Sequence, residues 1–144
     1  MLTIEERKTI FKRKRQRIER KKNKKGDIKE RIISGFLNTT FEEFEIWYSD
    51  EVFNKGCKYC GLTNERSMEI YEFQRKGLRH DATRGGKRGR RLELDRRDPN
   101  LSYDNLENIV WCCYWCNNAK SNFFTIEEFE PIATAIGKVL KEIQ

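Results

Sequence analysis

Two cysteine knuckles constrain this chain more than any other feature. Cys57-Lys58-Tyr59-Cys60 and Cys113-Tyr114-Trp115-Cys116 lie far apart along the 144 residues. Each CxxC turn offers two thiolates at an angle that suits tetrahedral Zn²⁺, so together they make one four-sulfur site. Four thiolates fill the coordination sphere. Such an ion is structural, tying distant pieces of chain into a fold too small to rely on its core alone. Two readings compete with zinc. One is a redox dithiol, for which the chain lacks a thioredoxin-like βαβ context; the other is a set of unrelated core thiols. The fifth cysteine, Cys112, either replaces Cys113 in a CxxxC arrangement or is a buried thiol facing the core from a strand end.

The net charge of +7 is unevenly distributed. Residues 1–25 carry 12 Lys/Arg against 3 Glu, and residues 75–97 carry 10 against 3 acids; the rest carries 8 against 17. Two basic blocks on an otherwise acidic chain are the electrostatic footprint of a polyanion binder, because each neutralised phosphate releases condensed counterions. The alternative is a solvated face or a localisation signal such as KRKR at Lys12 to Arg15. Mean hydropathy is −0.88, and no window approaches the roughly 18 uncharged residues of a membrane span. The opening MLTIEERK meets charge before any apolar run, unlike a secretory signal. The expected compartment is reducing and intracellular, without a membrane partner.

Residues 3–25 lack proline and glycine, and Ile4, Phe11 and Ile18 recur every seven positions, which predicts a basic helical arm over 1–26. Asp27 then caps a short helix carrying Ile28, Ile32, Ile33 and Phe36, opening a domain over 27–144. Thr40 with Glu43 makes a capping box for a helix whose Phe41, Phe44, Trp47 and Tyr48 share one face, and Thr125 with Glu128 opens the closing helix, broken or restarted at Pro131. Residues 67–74 read equally as strand or helix. GLRHDATRGGKRGRR, at 77–91, reads as an exposed loop. Leu92 and Leu94 alternate with Glu93 and Asp95 in a half-buried strand; Asn108 to Trp111 supplies a second, and a helix begins at CCYWC.

If the strand ending at Asp95 pairs with Asn108–Trp111 and the following helix lies across them, Asp95 and Asn117 point their oxygens at one spot. That is the hard-donor set preferred by Mg²⁺. Two protein oxygens leave positions open for a phosphate oxygen and water.

CKYCG at 57–61, LELDRRD at 92–98, Tyr103, Asn108 and CYWCNNAKSN at 113–122 resemble the HNH, or ββα-metal, nucleases with a four-cysteine structural zinc. The resemblance covers about residues 57–123, with FEIWY at 44–48 and the closing helix as a looser extension. It implies an α+β fold, with a zinc-braced ββα-metal core flanked by N- and C-terminal helices. It also implies cleavage of DNA phosphodiesters with one Mg²⁺ or similar divalent ion on Asp95 and Asn117, Asn108 bracing the loop, and zinc on Cys57, Cys60, Cys113 and Cys116.

One departure stands out. The usual pattern has a histidine general base after the metal-binding aspartate; here Arg96 follows, and arginine is not a base at neutral pH. PacI-type restriction endonucleases are similar in carrying Asp-Arg followed by a loop tyrosine, matching Asp95, Arg96 and Tyr103. That variant implies that Tyr103 orients or deprotonates the nucleophile and that Arg96 clamps the scissile phosphate. His80 is the alternative activator, or a phosphate contact. Lys120 is similar to the family's frequent lysine and is expected on the DNA backbone, with Arg88, Arg90, Arg91 and the arm on flanking phosphates. Trp111 and Trp115 are expected to pack around the zinc and hairpin rather than stack on bases. A single site cuts one strand, so a double-strand cut needs a homodimer or two nicks. DNA binding would associate the protein with a nucleoid or nucleus. The rival class is a catalytically inactive, zinc-dependent nucleic-acid-binding module.

Overall fold

The computed structural model describes residues 1–80 and 89–143. Its element order is α1 (Ile4–Arg13), β1 (Arg17–Lys22), β2 (Ile28–Ile33), α2 (Phe41–Trp47), α3 (Asp50–Asn54), α4 (Asn64–Arg75), β3 (Glu93–Arg96), a 3-10 turn (Leu106–Asn108), β4 (Ile109–Cys112), α5 (Tyr114–Lys120) and α6 (Ile126–Glu142). The chain is α+β, as expected. No helix among the described residues is long and apolar enough to cross a membrane.

The N-terminal segment corrects the single-helix expectation. A capping box between Thr3 and Glu6 opens α1, which ends at Arg13, with Lys14 as its C-cap. Leu2 and Phe11 enter the core, whereas Ile4 and Ile18 are exposed. Continued as a helix, the run would stack Arg13, Arg17, Arg20 and Lys24 one turn apart, a like-charge ladder that disfavours helix. The antiparallel ribbon of β1 and β2 instead sets Arg20 opposite Glu30 and Glu19 opposite Arg31. The helix expected after Asp27 is therefore β2. The asparagine before the turn makes the reversal: Asn23 Oδ1 accepts the N–H groups of Lys25 and Asp27, both at 2.9 Å.

The rest follows local chemistry more closely. The Thr40–Glu43 and Thr125–Glu128 boxes cap α2 and α6. Residues 67–74 lie in α4, capped by Thr63. Pro131 does not break α6, because the carbonyl its missing N–H forgoes belongs to Glu127, on the exposed side where water can serve it. β3 and β4 pair antiparallel, with Glu93 opposite Cys112, Leu94 opposite Trp111, Asp95 opposite Val110 and Arg96 opposite Ile109.

A two-stranded hairpin needs packing to be stable, and an aromatic seam provides it. Phe11 stacks on Phe36 at 5.3 Å, Phe44 lies 5.5 Å from Trp47, Trp47 5.8 Å from Trp111, and Phe53 meets Trp111 edge-on at 5.0 Å. Trp111 is buried in this seam, the packing role expected of it.

The loop between β3 and β4 is closed at both ends. The Asn108 side chain accepts the Asp98 N–H and donates to the Asp98 carbonyl, both at 2.9 Å. Asp104 accepts the N–H groups of Leu37, Asn38 and Thr39 and the Thr39 hydroxyl, the last at 2.6 Å. Burial pushes the Asp104 carboxyl up, but the Thr39 hydroxyl and these N–H donors outweigh it and hold the group below the usual carboxylate range. A depressed folded pKa contributes stability above the unfolded value of about 3.9, and that stability is lost as the pH falls through the lower folded value. Asp104→Asn is expected to cost about 1 kcal/mol in urea unfolding at pH 7, with solvent at the loop screening the remainder. Its deficit should shrink below pH 4; a deficit constant down to pH 2 would contradict this role.

Candidate metal centre and basic cleft

The first knuckle is formed by a tight backbone reversal. Cys57 N–H donates to Leu62 O and Gly61 N–H to Cys57 O, both at 2.8 Å. Gly56 has φ +86°, and a Cβ there would lie 2.4 Å from Leu62 O, so only glycine fits. Lys58 N–H reaches Trp111 O at 2.8 Å, setting this knuckle against the end of β4. The second knuckle is the start of α5, where Cys113 is the N-cap and its Sγ accepts the Cys116 N–H at 3.4 Å.

The Sγ atoms of Cys57, Cys60, Cys113 and Cys116 all lie within 4.8 Å of one another, and Cys60 and Cys113 are 3.7 Å apart. Tetrahedral Zn–S bonds of about 2.3 Å require S···S spacings of about 3.8 Å, so the cluster fits zinc. All five cysteines are free thiols. Facing Cys112 and Cys113, the Cys57 thiol is pushed well down, while Cys116 is pushed up by Cys113 and Cys57. Crowded thiols resist shared ionisation, and a divalent cation is what lets four thiolates occupy one spot. Cys112 is buried outside this set, its S–H donating to Cys113 O at 3.3 Å.

Beside the cluster, β3 presents Glu93 and Asp95 on one face, because strand side chains alternate. Helix α5 lies against that face. Asn117 Nδ2 donates to Glu93 Oε2 at 3.2 Å, and Asp95 Oδ2 accepts the Tyr59 hydroxyl at 2.8 Å. Burial and the adjacent Asp95 push the Tyr59 hydroxyl up, which keeps it a donor. Lys120 corrects an expectation. It is 1% exposed, with Nζ 3.2 Å from Arg96 O and 3.7 Å from Asp95 Oδ2. Cys116 and Lys120 share a face of α5, and the zinc-side packing draws the lysine inward, away from any DNA backbone.

Arg96 projects to the opposite face. Its guanidinium lies 4.7 Å from the Tyr103 ring centroid, and Nη1 donates to Leu101 O at 3.3 Å. Lys14 Nζ sits 4.5 Å from the same centroid, so the ring, only 8% exposed, has two cations against it. A cleft of about 510 Å³ runs alongside, lined by Arg13, Lys14, Arg90, Arg91 and Glu93. His80 is not part of it. It lines a separate groove of about 900 Å³ with Ile70, Trp115 and Leu140. Arg88 lies outside the described residues.

The structure thus gathers Arg90 and Arg91 beside the β3 face, and Arg96 with Tyr103. Asn117 bonds Glu93 rather than Asp95. Sequence reasoning missed three neighbours. Glu93 was detectable by strand parity, being two residues before Asp95; Tyr59 and Lys14 carried no signal, since only packing brings them here. Glu93 and Asp95 share the β3 face against which Asn117 packs, and their oxygens are of the hard type that Mg²⁺ takes.

Elemental analysis is expected to find about one zinc per chain, lost together with the folded far-UV spectrum in Cys57→Ser or on chelation. A metal-free protein of undiminished thermal stability would refute the assignment.

No protein-family model matches the chain, and no curated protein matches it. A solved structure of the rare-cutting HNH restriction endonuclease PacI is similar, with a TM-score of 0.54 and 26% identity over 71% of this chain. The match spans 64% of the PacI chain. With that likeness, the β3–β4 hairpin crossed by α5 and the four-cysteine cluster, the chain has the HNH fold.

Proposed function

We propose that the protein is a metal-dependent DNA endonuclease that hydrolyses phosphodiester bonds. The observation that carries this reading is the likeness to a DNA-cutting HNH enzyme. The cleft lined by Arg13, Lys14, Arg90 and Arg91 supports it, since four cations beside the Glu93 carboxylate suit a phosphate backbone led to the edge of the β3 face.

In this reading Asp95 and Asn117 hold a divalent ion, with Glu93 adjoining them; bound there, the ion supplies Lewis-acid charge next to the phosphate oxygens. The Arg96 guanidinium offsets the negative charge that gathers on the pentacovalent phosphorus centre as it forms. The Tyr103 side chain orients or deprotonates the attacking water, with Arg96 and Lys14 lying against its ring. The water oxygen bonds to phosphorus, the ester bond opposite it breaks, and the departing oxygen leaves with the bonding electron pair and takes a proton from solvent water. Asn108 holds the loop that carries Tyr103. The zinc cluster stays outside the chemistry, because four thiolates leave no open position. One site cuts one strand, so a double-strand cut takes a homodimer or two successive nicks.

A second reading is favoured by one contact. Lys120 already places a cation 3.7 Å from Asp95, which suits a catalytically inactive, zinc-dependent nucleic-acid-binding module. Incubating the zinc-loaded protein with supercoiled plasmid separates the two. Nicking is expected with Mg²⁺ or Mn²⁺ and not without, and Asp95→Ala, Asn117→Ala and Tyr103→Phe should each lower its rate about 10²-fold or more. Plasmid binding without nicking in any divalent metal would favour the inactive module.

A further inference from the structure

The β1–β2 ribbon has no role in the scheme above, yet its construction is specific. Residues 17–33 carry eight Lys/Arg against three acids. The register places Ile18, Ile32 and Ile28 on one face with Arg20, Glu30 and Lys22 among them, and Arg17, Lys21, Lys29 and Arg31 on the other with Glu19 and Ile33. The isoleucines are 61%, 65% and 65% exposed for Ile18, Ile28 and Ile32. Beyond its root, the ribbon leaves both faces to solvent. Two strands alone are marginally stable in water, and three exposed isoleucines on a net-positive ribbon await a partner that is itself both anionic and apolar in places.

The root is fixed rather than hinged. Gln16 N–H donates to Phe36 O and Phe36 N–H to Lys14 O, both at 2.9 Å. Phe36 is buried, and a Cβ on Gly35 would lie 2.0 Å from Lys14 O. The same root reaches the cleft: Phe36 meets the Tyr103 ring edge-on at 6.1 Å, and Lys14 lies over that ring. A strip of positive charge therefore runs from the ribbon to Tyr103.

We infer that the ribbon enters the major groove of the DNA duplex, its Lys21/Lys29/Arg31 face against phosphates and its isoleucine face against base edges. The major groove, about 12 Å wide and 8.5 Å deep, admits a two-stranded ribbon, and six strand residues span about 20 Å. Apolar side chains at base edges read the thymine methyl. An anionic membrane suits the same face less well, because the Arg20–Glu30 pair, 2.9 Å apart, would enter the lipid with the isoleucines. The inference takes its substrate class, DNA, from the proposed function and adds the element that reads it.

The test measures binding of the full zinc-loaded chain to short duplexes without added divalent metal, with far-UV spectra and zinc content as folding controls. A Lys21→Ala, Lys29→Ala, Arg31→Ala variant is expected to bind about tenfold or more weakly, with a salt dependence shallower by about 0.9 for each phosphate no longer neutralised. An Ile18→Thr, Ile28→Thr, Ile32→Thr variant should keep that salt dependence and lose discrimination between thymine duplexes and their uracil counterparts. Methylation of guanine N7 should interfere with binding. Wild-type affinity in both variants, interference confined to adenine N3, or isoleucine-dependent binding to phosphatidylserine vesicles with unchanged DNA binding would each overturn the inference. Ribbon-dependent binding by a protein that never nicks supports it while refuting the nuclease; normal nicking with ribbon-independent binding does the reverse.

Discussion

Everything else in this fold is arranged around one cross-link between distant segments, the convergence of residues 57–60 with residues 113–116. Four thiols gather within 4.8 Å of one another, at the junction where β4 ends and α5 begins. A two-stranded hairpin cannot hold its own geometry, and here its exit is fixed by a knuckle, its buried face by the Phe11-to-Trp111 aromatic seam, and its loop by Asn108 and Asp104. The tightly turned Gly56 belongs to the same device, since any side chain there would drive the first knuckle away from Leu62.

This support lets one short strand serve two chemistries. Alternation along β3 sends Glu93 and Asp95 toward α5 and Arg96 toward Tyr103, so the two strand carboxylates and the strand arginine leave opposite sides of a single backbone. The acidic side is closed by interior donors, Tyr59 and Lys120. The basic side opens on a cleft whose cations come from α1 and from the segment before β3, two parts of the chain brought together only by folding. Lys14 links the two functions of the N-terminal region: its backbone anchors the ribbon and its side chain lies over Tyr103.

Much was legible from residue types at fixed spacings. The CxxC pairs, the Thr–Glu capping boxes of α2 and α6, and the Leu92/Leu94 alternation depend on contacts within a few residues, which sequence records directly. The N-terminal arm departs from the helix its pattern suggests because a seven-residue apolar spacing is equally available to a helix and to a chain that leaves the helix after ten residues. Cross-strand pairing decides between them, and it joins residues 12 positions apart, such as Glu19 and Arg31.

By itself, then, the sequence determined the α+β class, the cysteine cluster and the strand that ends in Asp-Arg. Each of these rests on local stereochemistry or on the coordination needs of thiolates. The tertiary structure alone decided that Lys120 points inward to Asp95, that Asn117 bonds Glu93, that Tyr59 caps the carboxylate and that Lys14 joins Arg96 at Tyr103. A side chain's partner depends on which elements pack together, and helix α5, drawn against β3 by the cysteines at its own N-terminus, set those partners.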